Sequence, residues 1–291
     1  LRLLLFALLP LSKPLKKTIL YILLGLVLFV FVGPYLWMLA TSVKTQGEVL
    51  AWPPKIVPSE FHWENFVRIW KETILPRAFA NSVCVSSAAT LINVLFSSLA
   101  AFAFARLKFP GRNALFMMVL ATMMIPAGLM VVPLFSMLKN MPFGGPNGWL
   151  DTYAGLILPI AVTGFGIFLL RQNFISVPKE LDDAAAIDGA NMFQIYWKIM
   201  MPLNKPALGL VAIFSFLSHW NEYLWPLTVA RSENMYTIQI ALKSFQTQYS
   251  VDWPLLMAGA ATAALPMIVL YFILQPMFEQ GLGGLGRGVK E

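Results

Sequence analysis

Long apolar stretches alternate with short polar ones along most of this chain. Six of them are long enough to cross a hydrocarbon core of about 30 Å as helices, which takes about 20 residues each. These stretches are residues 18–43, 79–105, 114–138, 153–173, 205–229 and 255–278. The pattern therefore predicts an all-α integral membrane protein with six transmembrane helices, forming one membrane domain over residues 18–278.

Composition agrees with this pattern. Hydrophobic residues make up 58% of the 291 residues and charged residues 12%, whereas a soluble domain carries about 25% charge. The mean hydropathy is +0.69. The single cysteine, Cys84, excludes an internal disulfide framework and a multi-cysteine metal site.

The segments outside the spans have distinct compositions. Residues 1–17 predict an interfacial tail, although their apolar run at 3–9 leaves a signal peptide open. The loop at about 44–78 is interrupted by prolines and ends in a Trp- and Phe-rich stretch that predicts a short helix. Residues 174–204 form a second long loop, and residues 279–291 a Gly-rich tail.

Basic residues are distributed unevenly between the two sides of the predicted membrane. Thirteen of the 21 Lys and Arg fall in the N-terminal tail, the loop at 106–112, the loop at 174–204 with its flanking Arg171 and Lys205, and the C-terminal tail. Five of the remaining eight lie in the long 44–78 loop, where the positive-inside rule is weak. The net charge of +7 could indicate a nucleic-acid or anionic-lipid partner, but its uneven distribution favours an explanation by membrane topology and predicts both termini in the cytoplasm.

The 174–204 loop has the signals of two short helices. Pro178 and the acidic residues after it suit the first turn of a helix, and Gly189 suits its left-handed C-terminal cap. Asn191 and Gln194 have the spacing of a capping box for a second helix, which Pro202 and Pro206 are expected to end. The pattern alone leaves open a helix pair that simply lies on the membrane surface.

The sequence of this loop, "DAAAIDGANMFQIYWKIMMP", resembles the cytoplasmic EAA motif of ABC-importer permeases. The matching positions are Asp183, Ala184, Ala185, Gly189, Ile199 and Pro202. Asp183 stands where the family prefers Glu, and Met201 where it prefers Leu. Other segments, including "WNEYLWPL" and "DWPLLMA", are similar to the second permease subunit of the maltose-type carbohydrate branch, so the resemblance covers nearly the whole chain.

The resemblance implies a type I ABC importer permease fold with a cytoplasmic coupling-helix loop. It implies a multi-pass subunit of the bacterial cytoplasmic (inner) membrane that is itself non-catalytic and without a cofactor. The implied partners are a second permease subunit, two cytosolic ATPase subunits that bind ATP and Mg, and an extracytoplasmic solute-binding protein that delivers a sugar or oligosaccharide.

The resemblance also implies roles for individual residues of the loop. In the family this loop docks in a groove of the ATPase. Met192, Phe193, Tyr196 and Trp197 would fill that groove, and Asp183 would meet a base on the ATPase. The Gly-rich, Lys-bearing end at Gly288-Val289-Lys290 is similar to a tail that touches the ATPase dimer in the family.

Glu222 is the one acid that the pattern places inside a span. Such a group usually faces the bundle interior or a water-filled path. Together with Asn221, Trp220 and Trp225 it offers the aromatic faces and acceptors that suit a sugar. The alternative is an interfacial site in which the tryptophans form an aromatic belt and the acid a helix-packing hydrogen bond.

Motif searches weigh against other functions. His219 and Glu222 have a metal-ligand spacing but no third ligand nearby, so no metal site is expected. The tail sequence "GLGGLG" matches a dinucleotide-binding pattern without the strand that should precede it, and the chain has no P-loop sequence. The alternatives are a self-contained secondary carrier and an intramembrane enzyme. A carrier would need further carboxylates at mid-membrane to bind its coupling ion, whereas Glu222 stands alone. An enzyme would need a nucleophile or a set of metal ligands, and the sequence offers neither pattern.

Overall fold

The computed structural model describes residues 13–142, 144–246 and 251–287. These residues are almost entirely helical. The α-helices, in chain order, are α1 Lys13–Ser42, α2 Gln46–Leu50, α3 Glu64–Lys71, α4 Leu75–Arg106, α5 Arg112–Thr122, α6 Ala127–Lys139, α7 Tyr153–Ile157, α8 Gly164–Ser176, α9 Glu180–Ile187, α10 Met192–Ile195, α11 Met201–Leu203, α12 Lys205–Asn221, α13 Leu224–Val229, α14 Ile238–Ser244 and α15 Trp253–Arg287.

The described helices fit the predicted membrane spans, with corrections. Three are long and apolar enough to cross a membrane, at Lys17–Ser42, Leu75–Arg106 and Trp253–Ile273. Up to six spans result if each pair of helices joined by a sharp bend counts as one. The last helix continues past the predicted end at residue 278 to Arg287, whereas Gly288-Val289-Lys290 and most of the predicted N-terminal tail lie outside the described residues.

The third and fourth predicted spans are broken helices. α5 and α6 meet at 102°, and the segment Tyr153–Ile160 meets α8 at 47°. Pro126 directly precedes α6, and a proline cannot supply the backbone N–H that would continue α5. In the second break, the Asn93 side chain accepts a hydrogen bond from the Thr163 N–H at 3.1 Å, which satisfies a backbone group freed by the bend.

The fifth predicted span, 205–229, is also interrupted. α12 ends at Asn221, Glu222 is extended, and the separate helix α13 follows. The segment that pairs with α12 is instead Met192–Leu203, at an angle of 79°.

The chain divides into two compact units, the first made of residues 1–72 and 245–262. In this unit α1 exposes nearly all of its apolar side chains, as a helix facing lipid or a partner would. The Asn65 side chain donates hydrogen bonds to the Ser42 and Lys44 carbonyls at 3.0 Å, which joins α3 to the end of α1. The short helix predicted in the 44–78 loop is therefore present.

The second unit contains residues 73–244 and 263–291, and α4 lies at its centre. α4 packs against α8 and α12 through a buried stripe of small polar residues, including Ser86, Asn93 and Ser97. Gly166 of α8 approaches this stripe so closely that an added Cβ would lie 2.8 Å from the Ser97 hydroxyl. Small residues allow such backbone contact between membrane helices.

Candidate functional site

The predicted two-helix loop is present, and Gly189 is its elbow. α9 ends at Ile187, and Gly189 has φ +82°, in the left-handed region. The Gly189 N–H donates to the Ala186 carbonyl at 3.0 Å and the Ala190 N–H to the Ala185 carbonyl at 2.9 Å. These two bonds form a Schellman motif, which satisfies the last carbonyls of α9 and favours glycine at this position.

The second helix of the loop begins as the sequence predicts and ends later. Asn191 and Gln194 form a reciprocal capping box at the start of α10. A π-helical turn follows at Tyr196–Met200, in which the Met201 N–H donates to the Tyr196 carbonyl. Because this wider turn makes room for a proline, Pro202 lies inside α11 and the helix breaks at Asn204.

The second helix has a buried face that the sequence did not distinguish from its exposed one. Ile195, Tyr196 and Met200 are at most 1% exposed and belong to a core cluster with Phe102 and Phe174. The Tyr196 hydroxyl lies 2.7 Å from the Ser98 hydroxyl of α4. Tyr196 is therefore a buried anchor of this helix and not part of its exposed face.

The exposed face of the loop carries the other large apolar side chains predicted to meet a partner. Met192 is 52% exposed, Phe193 67% and Trp197 54%. Among the other motif residues, Asp183, Ala184 and Gly189 are exposed, while Ala185 and Ile199 are half-buried. An exposed apolar cluster beside exposed carboxylates is typical of a protein-binding surface.

Arg106, the last residue of α4, holds α9 in place. Its Nε lies 2.6 Å from Asp182 Oδ2, and its Nη2 donates to the Val177 carbonyl at 2.7 Å. The Nε–H does not point at the carboxylate, so the first contact is an ion pair without a hydrogen bond, and Asp182 Oδ1 has no hydrogen-bond partner among the described residues. Asp183 is the acid of the motif match, whereas the ion pair is formed by its neighbour Asp182.

Burial raises the pKa of the Asp182 carboxyl, and the charges of Arg106 and Lys179 do not fully offset this increase. The Asp182 side chain is 15% exposed and that of Arg106 5%. The pair therefore positions α9 at a cost in desolvation, as buried ion pairs commonly do.

Glu222 lines a cavity of about 190 Å³ where three of the helix breaks meet. The lining comes from the start of α6, the break before α8, and the segment from Ser218 to Trp225. Glu222 Oε1 also accepts a hydrogen bond from the Trp225 N–H at 3.1 Å, which caps the start of α13. Glu222 thus combines a place in the cavity wall with a helix-capping hydrogen bond.

The two tryptophans predicted beside Glu222 are packing residues. Trp220 is 1% exposed and donates its indole N–H to the Ala263 carbonyl at 3.1 Å. Trp225 is 3% exposed and donates to the Gly155 carbonyl at 3.2 Å. Both indoles therefore pack in the protein interior, although Trp225 also lines the cavity beside Glu222, and Asn221 is exposed. Their contact with a solute stays a prediction.

His219 also lines this cavity, and its ring nitrogens lie beside backbone carbonyls. Its Nδ1 lies 2.6 Å from the Ser215 carbonyl and its Nε2 3.2 Å from the Ile160 carbonyl. Among the described residues, no group of three His, Cys, Asp or Glu side chains could hold a metal ion.

Residues 93–284 match the family model described as "Binding-protein-dependent transport system inner membrane component". The chain is 34% identical over 274 residues to the arabinooligosaccharides transport system permease protein AraQ of Halalkalibacterium halodurans, covering 93% of this chain and 96% of the relative. It is 30% identical to the lactose transport system permease protein LacG of Rhizobium radiobacter, covering 94% and 97%.

A solved structure has the same fold. It is the crystal structure of a bacterial ABC transporter involved in the import of the acidic polysaccharide alginate. The likeness has a TM-score of 0.80 at 23% identity, over 91% of this chain and 98% of that one. The family match and the relatives lead to one conclusion: the chain belongs to the inner membrane components of binding-protein-dependent transport systems, the permease subunits of ABC importers.

Proposed function

We propose that this chain is the pore-forming permease subunit of an ATP-driven importer for a sugar or oligosaccharide. The named relatives transport arabinooligosaccharides and lactose, which supports a carbohydrate substrate. A coupling role is supported by a capped elbow that leaves Met192, Phe193 and Trp197 exposed. This surface is the observation that carries the coupling role.

The proposed complex contains a second permease subunit, two cytosolic ATPase subunits with their ATP and Mg, and an extracytoplasmic solute-binding protein. The subunit crosses the bacterial inner membrane several times, with both termini and the 180–202 loop in the cytoplasm. The excess of basic residues on that side supports this orientation.

Coupling follows from how the loop is joined to α4. The exposed side chains at 192, 193 and 197 dock in the ATPase groove, and Asp183 meets a base at its rim. When ATP closes the ATPase subunits, the displacement passes to α4 through the Arg106–Asp182 ion pair and the Ser98–Tyr196 contact. Both contacts lie in the last three turns of one helix, so the two halves of the loop move together.

α4 also reaches the cavity at the helix breaks. Five residues before Ser98, Asn93 of α4 holds Thr163, which lines that cavity. Movement of α4 therefore changes the shape of the cavity beside Glu222, and this change provides a route from ATP closure to alternating access. In the proposal, Glu222 and Asn221 face the solute path, while Trp220 and Trp225 support it.

Reconstitution tests the function. The chain is co-purified with the other subunits of the importer and placed in proteoliposomes, and ATP hydrolysis is measured with binding protein and a panel of mono- and oligosaccharides. We expect one carbohydrate to stimulate hydrolysis and to be taken up only with ATP. Uptake by this chain without ATPase subunits would instead establish a secondary carrier.

A further inference from the structure

A concave basic pocket lies at the start of α5, apart from the coupling surface and from the cavity beside Glu222. Its volume is about 520 Å³, and Lys108, Arg112 and Lys179 line it together with Asn113 and Gly111. The lining contains three bases and no acid. Such a pocket attracts an anion rather than a sugar.

The charges of this pocket are not balanced within the described part of the chain. None of its four ion pairs involves Lys108, Arg112 or Lys179. Asp182 attracts Lys179 but is already paired with Arg106 at 2.6 Å. Arg112 donates a hydrogen bond to the Leu107 carbonyl at 3.2 Å, which leaves its charge unneutralised. Among the described residues the pocket therefore has an excess of positive charge with no carboxylate paired to it.

A further cation beside the pocket adds to this excess. Arg171 of α8 is close enough to Arg112 for their charges to repel each other. Its guanidinium lies over the Phe116 ring, 4.0 Å from the centroid, which fixes its position. An anion near these side chains would reduce this repulsion.

The backbone of the pocket is shaped for an anion as well. Gly111 has φ +78°, and an added Cβ there would meet no atom within 4 Å, so the approach to the first turn of α5 is open. No side chain caps that turn. The positive end of the 11-residue helix thus adds to the three side-chain charges.

The surroundings favour a lipid over a soluble anion. α5 leaves the pocket as an apolar helix that exposes Leu115, Met117 and Met118, by 47%, 63% and 62%. A phospholipid matches both parts, since its phosphate fits the bases and its acyl chains fit the exposed side chains. Basic pockets at the cytoplasmic ends of membrane helices bind anionic headgroups in this way.

We propose that the basic pocket binds the phosphate of an anionic phospholipid of the inner leaflet, with the acyl chains along α5. The proposal rests on the orientation given under the proposed function, but not on coupling or transport. The bound lipid would fix the 106–112 loop, which begins at Arg106 and so adjoins the support of α9.

Native mass spectrometry of the intact importer complex tests this proposal. The complex, in detergent, is titrated with phosphatidylglycerol, with phosphatidylcholine as the uncharged comparison. We expect a retained phosphatidylglycerol and no retained phosphatidylcholine. In K108Q/K179Q the affinity should fall about 30-fold, because each base near an anionic surface contributes about fivefold.

A matched variant and a soluble anion make the test specific. K71Q/K139Q removes the same charge from two residues outside the pocket and should leave lipid retention unchanged. Glycerol phosphate at millimolar concentration should not displace the lipid, since it lacks acyl chains.

Three results would overturn the proposal. The first is an equal loss of phosphatidylglycerol affinity in both double variants. The second is displacement of the bound lipid by glycerol phosphate. The third is unchanged lipid retention in K108Q/K179Q together with loss of the ATPase subunits from the complex. The last result would identify a protein contact. Because no ATP or sugar is used, a failed lipid site is distinguishable from a failed transport function.

Discussion

Removing Arg106 should release α9 from the rest of the protein. Arg106→Gln deletes the charge that balances Asp182 and the hydrogen bond to the Val177 carbonyl. Removing one partner of a buried ion pair costs about 3–5 kcal/mol. Since the Asp182 side chain keeps 15% exposure, we expect the lower end, about 3 kcal/mol of local stability of α9.

Asp182→Asn should be milder than Arg106→Gln, because it keeps the Arg106 bond to the Val177 carbonyl and removes a carboxylate whose charged form burial already disfavours. The double variant R106Q/D182N should therefore regain about half of the loss, and about 1.5 kcal/mol should remain for the missing bond to Val177. The pH dependence has a definite sign. Because the pKa of Asp182 is raised in the folded state, its contribution to the stability of α9 is fully present when the pH is below the ordinary pKa of 3.8. This contribution is lost as the pH rises through the raised pKa.

Hydrogen exchange of peptides from α9, in the full complex in nanodiscs, measures these changes. A loss of 3 kcal/mol corresponds to roughly 150-fold faster exchange in Arg106→Gln. Lys198→Gln, which removes an exposed base from the same loop, is the control and should exchange like the wild type. If the double variant exchanged as fast as Arg106→Gln, the ion pair would not be what holds α9.

Three further predictions concern orientation, the cavity and the loop. With Cys84 replaced, single cysteines are placed at the exposed positions 108 and 147 and treated with an impermeant thiol reagent. The cysteine at 147 should react from outside, and the one at 108 only after permeabilisation. The reverse pattern would invert the topology. Glu222→Gln should lower sugar uptake at least several-fold while the complex still assembles, and wild-type uptake at all sugar concentrations would remove Glu222 from the path. Tyr196→Phe should cost about 1 kcal/mol of stability and leave ATPase binding unchanged. Trp197→Ala should leave stability unchanged and weaken ATPase binding about 30-fold or more. Equal effects of the two variants on ATPase binding would refute the assignment of buried and exposed faces.

Local signals in the sequence predicted the loop well. The glycine elbow and the capping box depend on residues within five positions of each other, so the local sequence alone specifies them. The helix breaks were not predictable in the same way. The break before α8 depends on Asn93, 70 positions away, which satisfies the freed Thr163 backbone group.

The faces of the second loop helix could not be assigned from hydrophobicity. The large side chains of this helix are all apolar, so their pattern does not indicate which face is buried. They are Phe193, Tyr196, Trp197 and Met200. The structure divides them, because Tyr196 and Met200 meet the core while Phe193 and Trp197 stay exposed. Similarly, Trp220 and Trp225 match a sugar site by composition, but their indole groups are used for buried hydrogen bonds to distant carbonyls.

The central claim is that the elbow at Gly189 couples ATP hydrolysis to transport. The backbone of Gly189 has φ +82°, where a valine is strained by about 1–2 kcal/mol or more although its side chain would meet open space. Asparagine tolerates this backbone conformation. Gly145, at φ +75° and equally open, provides a control with the same strain outside the loop.

The decisive measurement is ATP hydrolysis by the reconstituted complex with binding protein and sugar. We predict that Gly189→Val loses stimulated hydrolysis and uptake, while Gly189→Asn and Gly145→Val retain most of both. Full stimulated hydrolysis and normal uptake in Gly189→Val would show that the loop is only a pair of surface helices.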